Sequence, residues 1–352
     1  MPLIQFVRSE ETAGFFSPLV GMEYAEQTIE VRRDPLTGMT AISSSELATK
    51  EEMFYGTTDW EYTAELVRRS REGCFFCPEK VMASTPRYPE EMLPGGRLQR
   101  GKALVFPNLF PLAGLHAVVT YPEHHYLRPS EFSAALLEDG LGAAVDFAGR
   151  AERSLAGLEH LELCCNHMLP AGASLVHPHF QMFGGPGVPW LVRRAWDCSA
   201  AFLGEHGVPY WQTLVAEETA SCERVIDTRA GVTWLTPFAP TGGREVLAVV
   251  PGAPRLSSLR DDHVAALARG LSKVLAWYER EGLSAFNFTL FGGPLTATGG
   301  RQTGHPVVLR VVARTAFRAD YRTDDYFLQK QLGGELMFAA PEEMAARLRT
   351  LF

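Results

Sequence analysis

The sequence predicts an α+β fold made of two pseudo-symmetric units, each an antiparallel sheet with helices. Three observations carry that expectation. The order strand, turn, strand, helix, strand, strand occurs twice, about 130 residues apart. Short apolar runs bounded by Pro and Gly alternate with two long stripes at helical spacing. The residue types that do chemistry gather in the first copy and are missing from the second.

Residues 1–30 show mixed polarity and no period. Arg32 to Gly38 reads as a strand end running into the turn Asp34-Pro-Leu-Thr-Gly38. Residues 59–70 predict a helix with Asp59 as its N-cap. Cys74-Phe-Phe-Cys77 follows. Strands are expected at 103–106 and 116–121, joined through the turn Pro107-Asn108-Leu-Phe-Pro111. After Pro122-Glu-His124-His125, Ser130 is the expected cap of a helix whose stripe is Phe132, Leu136, Leu137, Leu141, Val145 and Ala148. A strand at 161–165 enters the stretch 166–181, and 180–183 ends it before the loop 184–189.

The second copy has strands at 231–236 and 245–250, and a helix striped by Val264, Leu267, Leu271, Val274, Leu275 and Tyr278. Strands at 286–290 and 307–312 follow, and a last helix begins with Pro341 at its first position. This divides the chain into residues 1–190, with the chemistry, and 191–352, a degenerate copy. His177-x-His179 is answered by Leu309-x-Val311 and the cysteine pair by a lone Cys222. The second unit is therefore expected to supply packing and part of a pocket wall.

The 352 residues are 46% hydrophobic and 21% charged, an ordinary globular composition. A net charge of −8 argues against binding nucleic acid through bulk charge. The N-terminus lacks the pattern of a signal peptide, and no run is long enough to span a membrane. Six cysteines in a chain this long fit a reducing compartment, and a cytoplasmic location is expected.

A C-x-x-C knuckle is a common half-site for tetrahedral zinc; its rivals are a redox dithiol and two buried thiols. The best completing ligands are His124 and His177, with His125 competing closely with His124. Four protein ligands leave no open position, so such a metal is structural. His179 is then free to act as a nucleophile on phosphorus, provided its other ring nitrogen is hydrogen-bonded. Ser174, Gln181 and the backbone of the Gly172-Ala173 turn are candidates to hold the phosphoryl oxygens. His116, His160, His167, His206, His263 and His305 read as ordinary core or surface histidines.

Taken together, Asp34-Pro-Leu-Thr-Gly38, Cys74-x-x-Cys77, Pro107-Asn108, Pro122-x-His124, Asn166, Gly172-Ala-Ser174, His177-Pro-His179-x-Gln181 and Pro341-Glu-Glu resemble the galactose-1-phosphate uridylyltransferase family of the histidine-triad superfamily. The resemblance runs from about Arg32 to the C-terminus. It implies a duplicated histidine-triad-like fold and ping-pong nucleotidyl transfer through a nucleotidyl-histidine at His179. Gln181 and Ser174 would hold the phosphate, and Asn108 and Asn166 would line the nucleotide pocket. Cys74, Cys77, His124 and His177 would bind structural zinc. It also implies a nucleotide or nucleotide-sugar substrate, a phosphorylated acceptor and a homodimer. The chain departs from the family at Phe180, where glycine is usual. It departs again at Ser43-Ser-Ser-Glu46, where arginines are usual, and at Gln329, where a hexose-binding glutamate is usual. A phosphorylase or hydrolase using the same step, and a non-catalytic nucleotide-binding protein, are the alternative expectations.

Overall fold

The computed structural model describes residues 2–296 and 303–352. Its first strands are β1 (Arg8–Ser17), β2 (Glu23–Arg33) and β3 (Thr40–Ser44), followed by helices α1 (Ser45–Ala48), α2 (Glu51–Tyr55), α3 (Trp60–Arg71) and α4 (Pro78–Ser84). The first unit continues with β4 (Leu98–Arg100), β5 (Ala103–Pro107), β6 (Leu115–Thr120), α5 (Ala134–Ser154), β7 (His160–His167) and β8 (His179–Gly185). Helices α6 (Trp190–His206) and α7 (Tyr210–Ser221) lead to β9 (Val225–Arg229), β10 (Val232–Leu235), β11 (Val246–Val250), α8 (Asp261–Arg280), β12 (Phe286–Phe291) and β13 (Val307–Ala313). The short β14 (Gly334–Leu336) and helix α9 (Pro341–Arg349) close the chain.

Ten strands form one antiparallel sheet in the order β4-β5-β6-β8-β7-β12-β13-β11-β10-β9. Read from the outside inward, each half has the same order of equivalent strands. The halves meet where β7 pairs antiparallel with β12, Asn166 opposite Asn287 and Cys164 opposite Thr289. The expected duplication is thus a pseudo-twofold about this seam. A smaller sheet, β1-β2-β3-β14, joins the N-terminal strands to the end of the chain.

Strand alternation sorts the large sheet into two faces. Leu161, Leu163, Cys165, Phe180, Met182, Phe286, Phe288, Leu309 and Val311 pack into one core with the apolar sides of α5 and α8. The opposite face carries three rows across the central strands. Val118, Gln181, Cys164, Thr289 and Arg310 follow one another from strand to strand in the first. His116, Phe183, Glu162, Phe291 and Val308 make the second. Thr120 and His179 begin the third, and Asn166, Asn287 and Val312 continue it.

These faces correct three expectations. Leu309 and Val311 point into the helix-covered core, so the second unit answers His179 and Gln181 with Val308, Arg310 or Val312. A one-residue slip in register exchanges the faces, which is why the comparison misled. The second unit therefore brings a charged residue to the chemical face. Ser130 does not cap α5; Ser133 does, its hydroxyl accepting from the Leu136 amide at 3.3 Å. Residues 1–30, in which no period was read, hold most of a long β-hairpin that ends at the expected strand end, Arg32 and Arg33. Asp59 does cap α3, accepting from the Tyr62 amide at 2.8 Å, and Phe180 turns away from the chemical face, edge-on to Tyr121 and Phe288. Among the described residues no helix is long and apolar enough to cross a membrane.

Helix α8 lies close on the sheet because Gly270 faces the buried Trp234; a Cβ at Gly270 would meet the indole itself. The ring is locked by packing, so the clash outweighs the gain in helix propensity of about 1 kcal/mol that alanine normally brings. Gly270→Ala should therefore destabilise the protein by about 2 kcal/mol, read as a lowered urea midpoint at unchanged slope.

Candidate active site and metal centre

Strand β8 positions the candidate nucleophile. His179 begins it, 7% exposed, and its Nδ1 lies 2.9 Å from the His177 carbonyl oxygen. A carbonyl only accepts, so Nδ1 carries the proton and Nε2 holds the lone pair. Burial lowers the pKa of the ring, more than its backbone hydrogen bond raises it. At neutral pH His179 is an uncharged imidazole with one free nitrogen, the state a nucleophile requires.

Two amides flank it, and each has its oxygen tied. The Leu112 amide donates to His116 Nδ1 at 3.1 Å, so Nε2 of His116 bears the proton. That nitrogen lies 2.9 Å from Gln181 Oε1, which also accepts from Asn108 Nδ2 at 3.4 Å. With Oε1 fixed, the Gln181 NH₂ group is left to face a ligand. On the other side, Asn287 Nδ2 donates to Asn166 Oδ1 at 2.8 Å and to the Ala171 carbonyl at 2.9 Å. The orientation of Asn287 is set in turn by Arg314, which donates to its Oδ1 at 2.7 Å and pairs with Asp324. Asn166 is therefore also left with its NH₂ group free. Sequence reading assigned His116 to the ordinary histidines and passed over Asn287 and Arg314. The signal for His116 was its parity on β6, which puts it on the face of Thr120 and opposite Phe183.

The turn after β7 is built differently from expectation. Met168 and Gly172 both take positive φ, 68° and 81°. Met168 is not glycine, so the turn holds backbone strain. The Gly172 amide donates to the Leu169 carbonyl and the Ala173 amide to that of Met168, at 2.9 and 3.2 Å. Both are consumed by the turn itself and are not available to a phosphate. Ser174 is exposed in the loop between this turn and His177. Gln329 donates to Glu335 Oε1 at 2.8 Å and accepts from the Tyr326 amide, so both ends of its amide are held within its own segment. Ser44 stands where arginines were expected and caps α1, accepting from the Leu47 amide at 3.1 Å.

The buried donor atoms of Cys74, Cys77, His125 and His177 lie within 4.8 Å of one another. His177 Nδ1 is 3.4 Å from Cys74 Sγ, and His125 Nδ1 is 3.3 Å from Cys77 Sγ. A tetrahedral zinc ion with ordinary bond lengths holds sulfur and nitrogen about 3.6 Å apart. The outer nitrogens fit as well. His177 Nε2 donates to the Tyr121 carbonyl at 3.1 Å, and His125 Nε2 lies 3.2 Å from the Val67 carbonyl and 3.0 Å from Ser70 Oγ. Each ring thus turns an Nδ1 lone pair inward. The set can hold a metal ion such as zinc.

His125 replaces His124 as the fourth ligand, a correction to the expected set. The His124 amide closes a turn onto the Tyr121 carbonyl at 2.9 Å. The next residue is the one driven inward beneath the last turns of α3, and His124 is only half-buried.

No protein-family model matches the chain. An uncharacterized protein of Archaeoglobus fulgidus is 30% identical over 336 residues, covering 95% of this chain and 96% of that one. Among solved structures, a GalT-like protein from Arabidopsis thaliana matches with a TM-score of 0.68 at 20% identity, covering 92% of this chain and 99% of its own. An ADP-glucose phosphorylase from the same plant, solved with bound ADP-glucose, gives 0.69, 20%, 92% and 99%. A uridylyltransferase gives 0.63 at 21% identity, covering 91% and 98%. The duplicated sheet and the His-x-His strand thus define a histidine-triad fold. The chain shares the fold of these GalT-like, ADP-glucose phosphorylase and uridylyltransferase structures, and it belongs to one sequence family with the A. fulgidus protein.

Removing a ligand from a structural metal site costs folding energy. Cys77→Ser and His125→Ala should each lose bound zinc and melt at lower temperature, whereas His124→Ala should keep one equivalent. Elemental analysis of the purified variants decides between the two histidines.

Proposed function

We propose that the protein is a nucleotidyltransferase that moves a nucleoside monophosphate from a nucleotide-sugar or similar donor through a covalent bond to His179. The observation that carries this reading is the hydrogen bond from His179 Nδ1 to its neighbour's carbonyl in a buried, uncharged ring. In the first step the Nε2 lone pair attacks the α-phosphorus. A P–N bond forms, the P–O bond to the leaving group breaks, and that group departs with the electron pair. In the second step an oxygen of the acceptor attacks the same phosphorus, and the P–N electrons return to Nε2. The proton stays on Nδ1 throughout, donated to the His177 carbonyl.

The charge that develops on the phosphoryl oxygens meets the NH₂ groups of Gln181 and Asn166 and the hydroxyl of Ser174. Asn108 and His116 act through Gln181 by fixing its orientation. The nucleoside lies against the apolar surface beside the nucleophile, where Phe76 meets the His179 ring edge-on and Leu109 and Phe110 are exposed. A metal ion held by Cys74, Cys77, His125 and His177 has all four positions filled by protein and supplies rigidity to this wall.

A second reading has inorganic phosphate as the acceptor. It is favoured by Gln329, whose amide is committed to Glu335 instead of being open to a sugar. The fold likeness to ADP-glucose phosphorylase is compatible with it.

Incubation with nucleoside-diphosphate sugars without acceptor, followed by an alkaline quench and intact-mass analysis, should show one added nucleoside monophosphate on His179. His179→Gly should keep the fold and form no adduct; an unchanged adduct there would refute the nucleophile. His116→Phe should slow adduct formation by about tenfold to a hundredfold, less than the roughly hundredfold to thousandfold loss when a transition-state donor is removed, because Gln181 is released from its orientation but still present. His116→Gln, which can still donate to Gln181, should recover part of that loss.

The pH dependence follows from the lowered pKa of His179. The reactive form is the neutral ring, present above that pKa and lost as pH falls through it. The acid limb of adduct formation should therefore lie below the ordinary histidine value of about 6.5. A limb at or above 6.5 in rapid-quench measurements would show that another group controls the step.

A further inference from the structure

A cavity of about 390 Å³ opens beside this site on the same face of the sheet. One wall includes Cys164, the cross-strand neighbour of Gln181. Another includes Asn287, the residue that orients Asn166. The space thus reaches β8 itself at Phe183 and spreads over β7, one strand or about 4.8 Å beyond it. Its volume falls in the range of small-molecule pockets.

The lining is chemically one-sided. Leu36, Met39, Phe183, Leu191, Trp211 and Phe291 give it apolar and aromatic walls. Its charged groups already have partners: Arg310 pairs with Glu245, and Glu162 Oε2 lies within hydrogen-bond distance of His160 Nδ1, at 2.7 Å. The Thr37 hydroxyl donates to Asp34 and that of Thr241 to Glu245, at 2.7 and 3.1 Å. Such a space offers no free charge for a second phosphate. It offers few partners for the hydroxyls of a sugar, each of which costs free energy when stripped of water without replacement.

We infer that this cavity receives a flat, uncharged ring system carried on the far side of the transferred phosphate, by the leaving group or by the acceptor. The inference rests on the His179 transfer reading and names the preferred class of the second substrate: a ring-bearing phosphate ahead of a hexose phosphate. The phosphate of that substrate stands next to the phosphoryl group held at Gln181 and Asn166, while its ring lies against Trp211 and Phe183. Arg310, Asn287 and Thr289 make the second unit a contributor to specificity.

The test uses enzyme charged with nucleotide at His179 and freed of donor. Discharge is followed by intact mass with phenyl phosphate, glucose 1-phosphate or inorganic phosphate. Phenyl phosphate should discharge the adduct at least tenfold faster than glucose 1-phosphate. Ala195→Leu, which fills the cavity from α6, should lower the phenyl phosphate to inorganic phosphate rate ratio at least tenfold. Leu191→Trp, at the exposed rim, should do the same if the first variant folds poorly. Equal discharge by the sugar phosphate, or an unchanged ratio in the variants, would overturn the inference. A calorimetric titration with indole reads the cavity without any transfer. Binding to the wild type that weakens at least tenfold in Ala195→Leu supports it, and absence of binding to the wild type overturns it even where no adduct forms.

Discussion

The pairing of β7 with β12 is the constraint on which the rest of the molecule depends. It turns two half-sheets into one surface, and it does so in a register that sets Asn166 opposite Asn287 and Cys164 opposite Thr289. Without it, each unit would present an unpaired strand edge in the middle of the protein. With it, His179 of the first unit, the proposed nucleophile, stands two strands from the second unit's polar residues. Asn287 is the clearest consequence. It bonds to Asn166, to the carbonyls of Cys165 and Ala171, and to Arg314, so one side chain secures the seam, the strained turn and a substrate-facing amide.

The electrostatics next to the nucleophile follow from these ties. A buried carbonyl or amide must find a partner. Here the partners are chosen so that oxygens are used up inside the protein and NH₂ groups are left outward. The outcome is a site for an anion made of oriented neutral dipoles. Such dipoles need no reorganisation when charge develops on the phosphoryl oxygens, and they leave the pKa of His179 governed by burial. A cation in the same place would lower that pKa further and compete for the lone pair.

Much of this was legible in the sequence, and what was not has physical causes. The strands, the two long helices, the duplication and the His-x-His strand follow from local period and punctuation. The face of each strand does not, because it depends on pairing register, and Leu309 for Arg310 was the price of a one-residue shift. Ser133 was hidden behind Ser130 because two serines three residues apart are equivalent as caps until the turn at Pro129 fixes where the helix begins. The choice of His125 over His124 rests on one backbone hydrogen bond in a turn. His116 and Asn287 were invisible as site residues for a simpler reason. A lone histidine or asparagine in a strand acquires a role only from the partner opposite, and those partners lie 65 and 121 residues away in sequence.

The metal centre and the nucleophile are joined through a single ring. Phe76, inside the Cys74–Cys77 knuckle, stands edge-on to both His177 and His179, at centroid distances of 5.7 and 5.6 Å. Phe75 and, on β5, Phe106 also stand edge-on to it. Cys74, Phe76 and Cys77 pack in one small core with Val81, Leu104, Phe106 and Val118, and anchoring both sulfurs on a metal would tighten the position of Phe76 further. The residue that supplies a ligand, His177, also supplies the carbonyl that sets the His179 tautomer. A structural ion in this position would act on the proposed chemistry by fixing shape: the wall assigned to the nucleoside, and the backbone that decides which nitrogen of His179 is free.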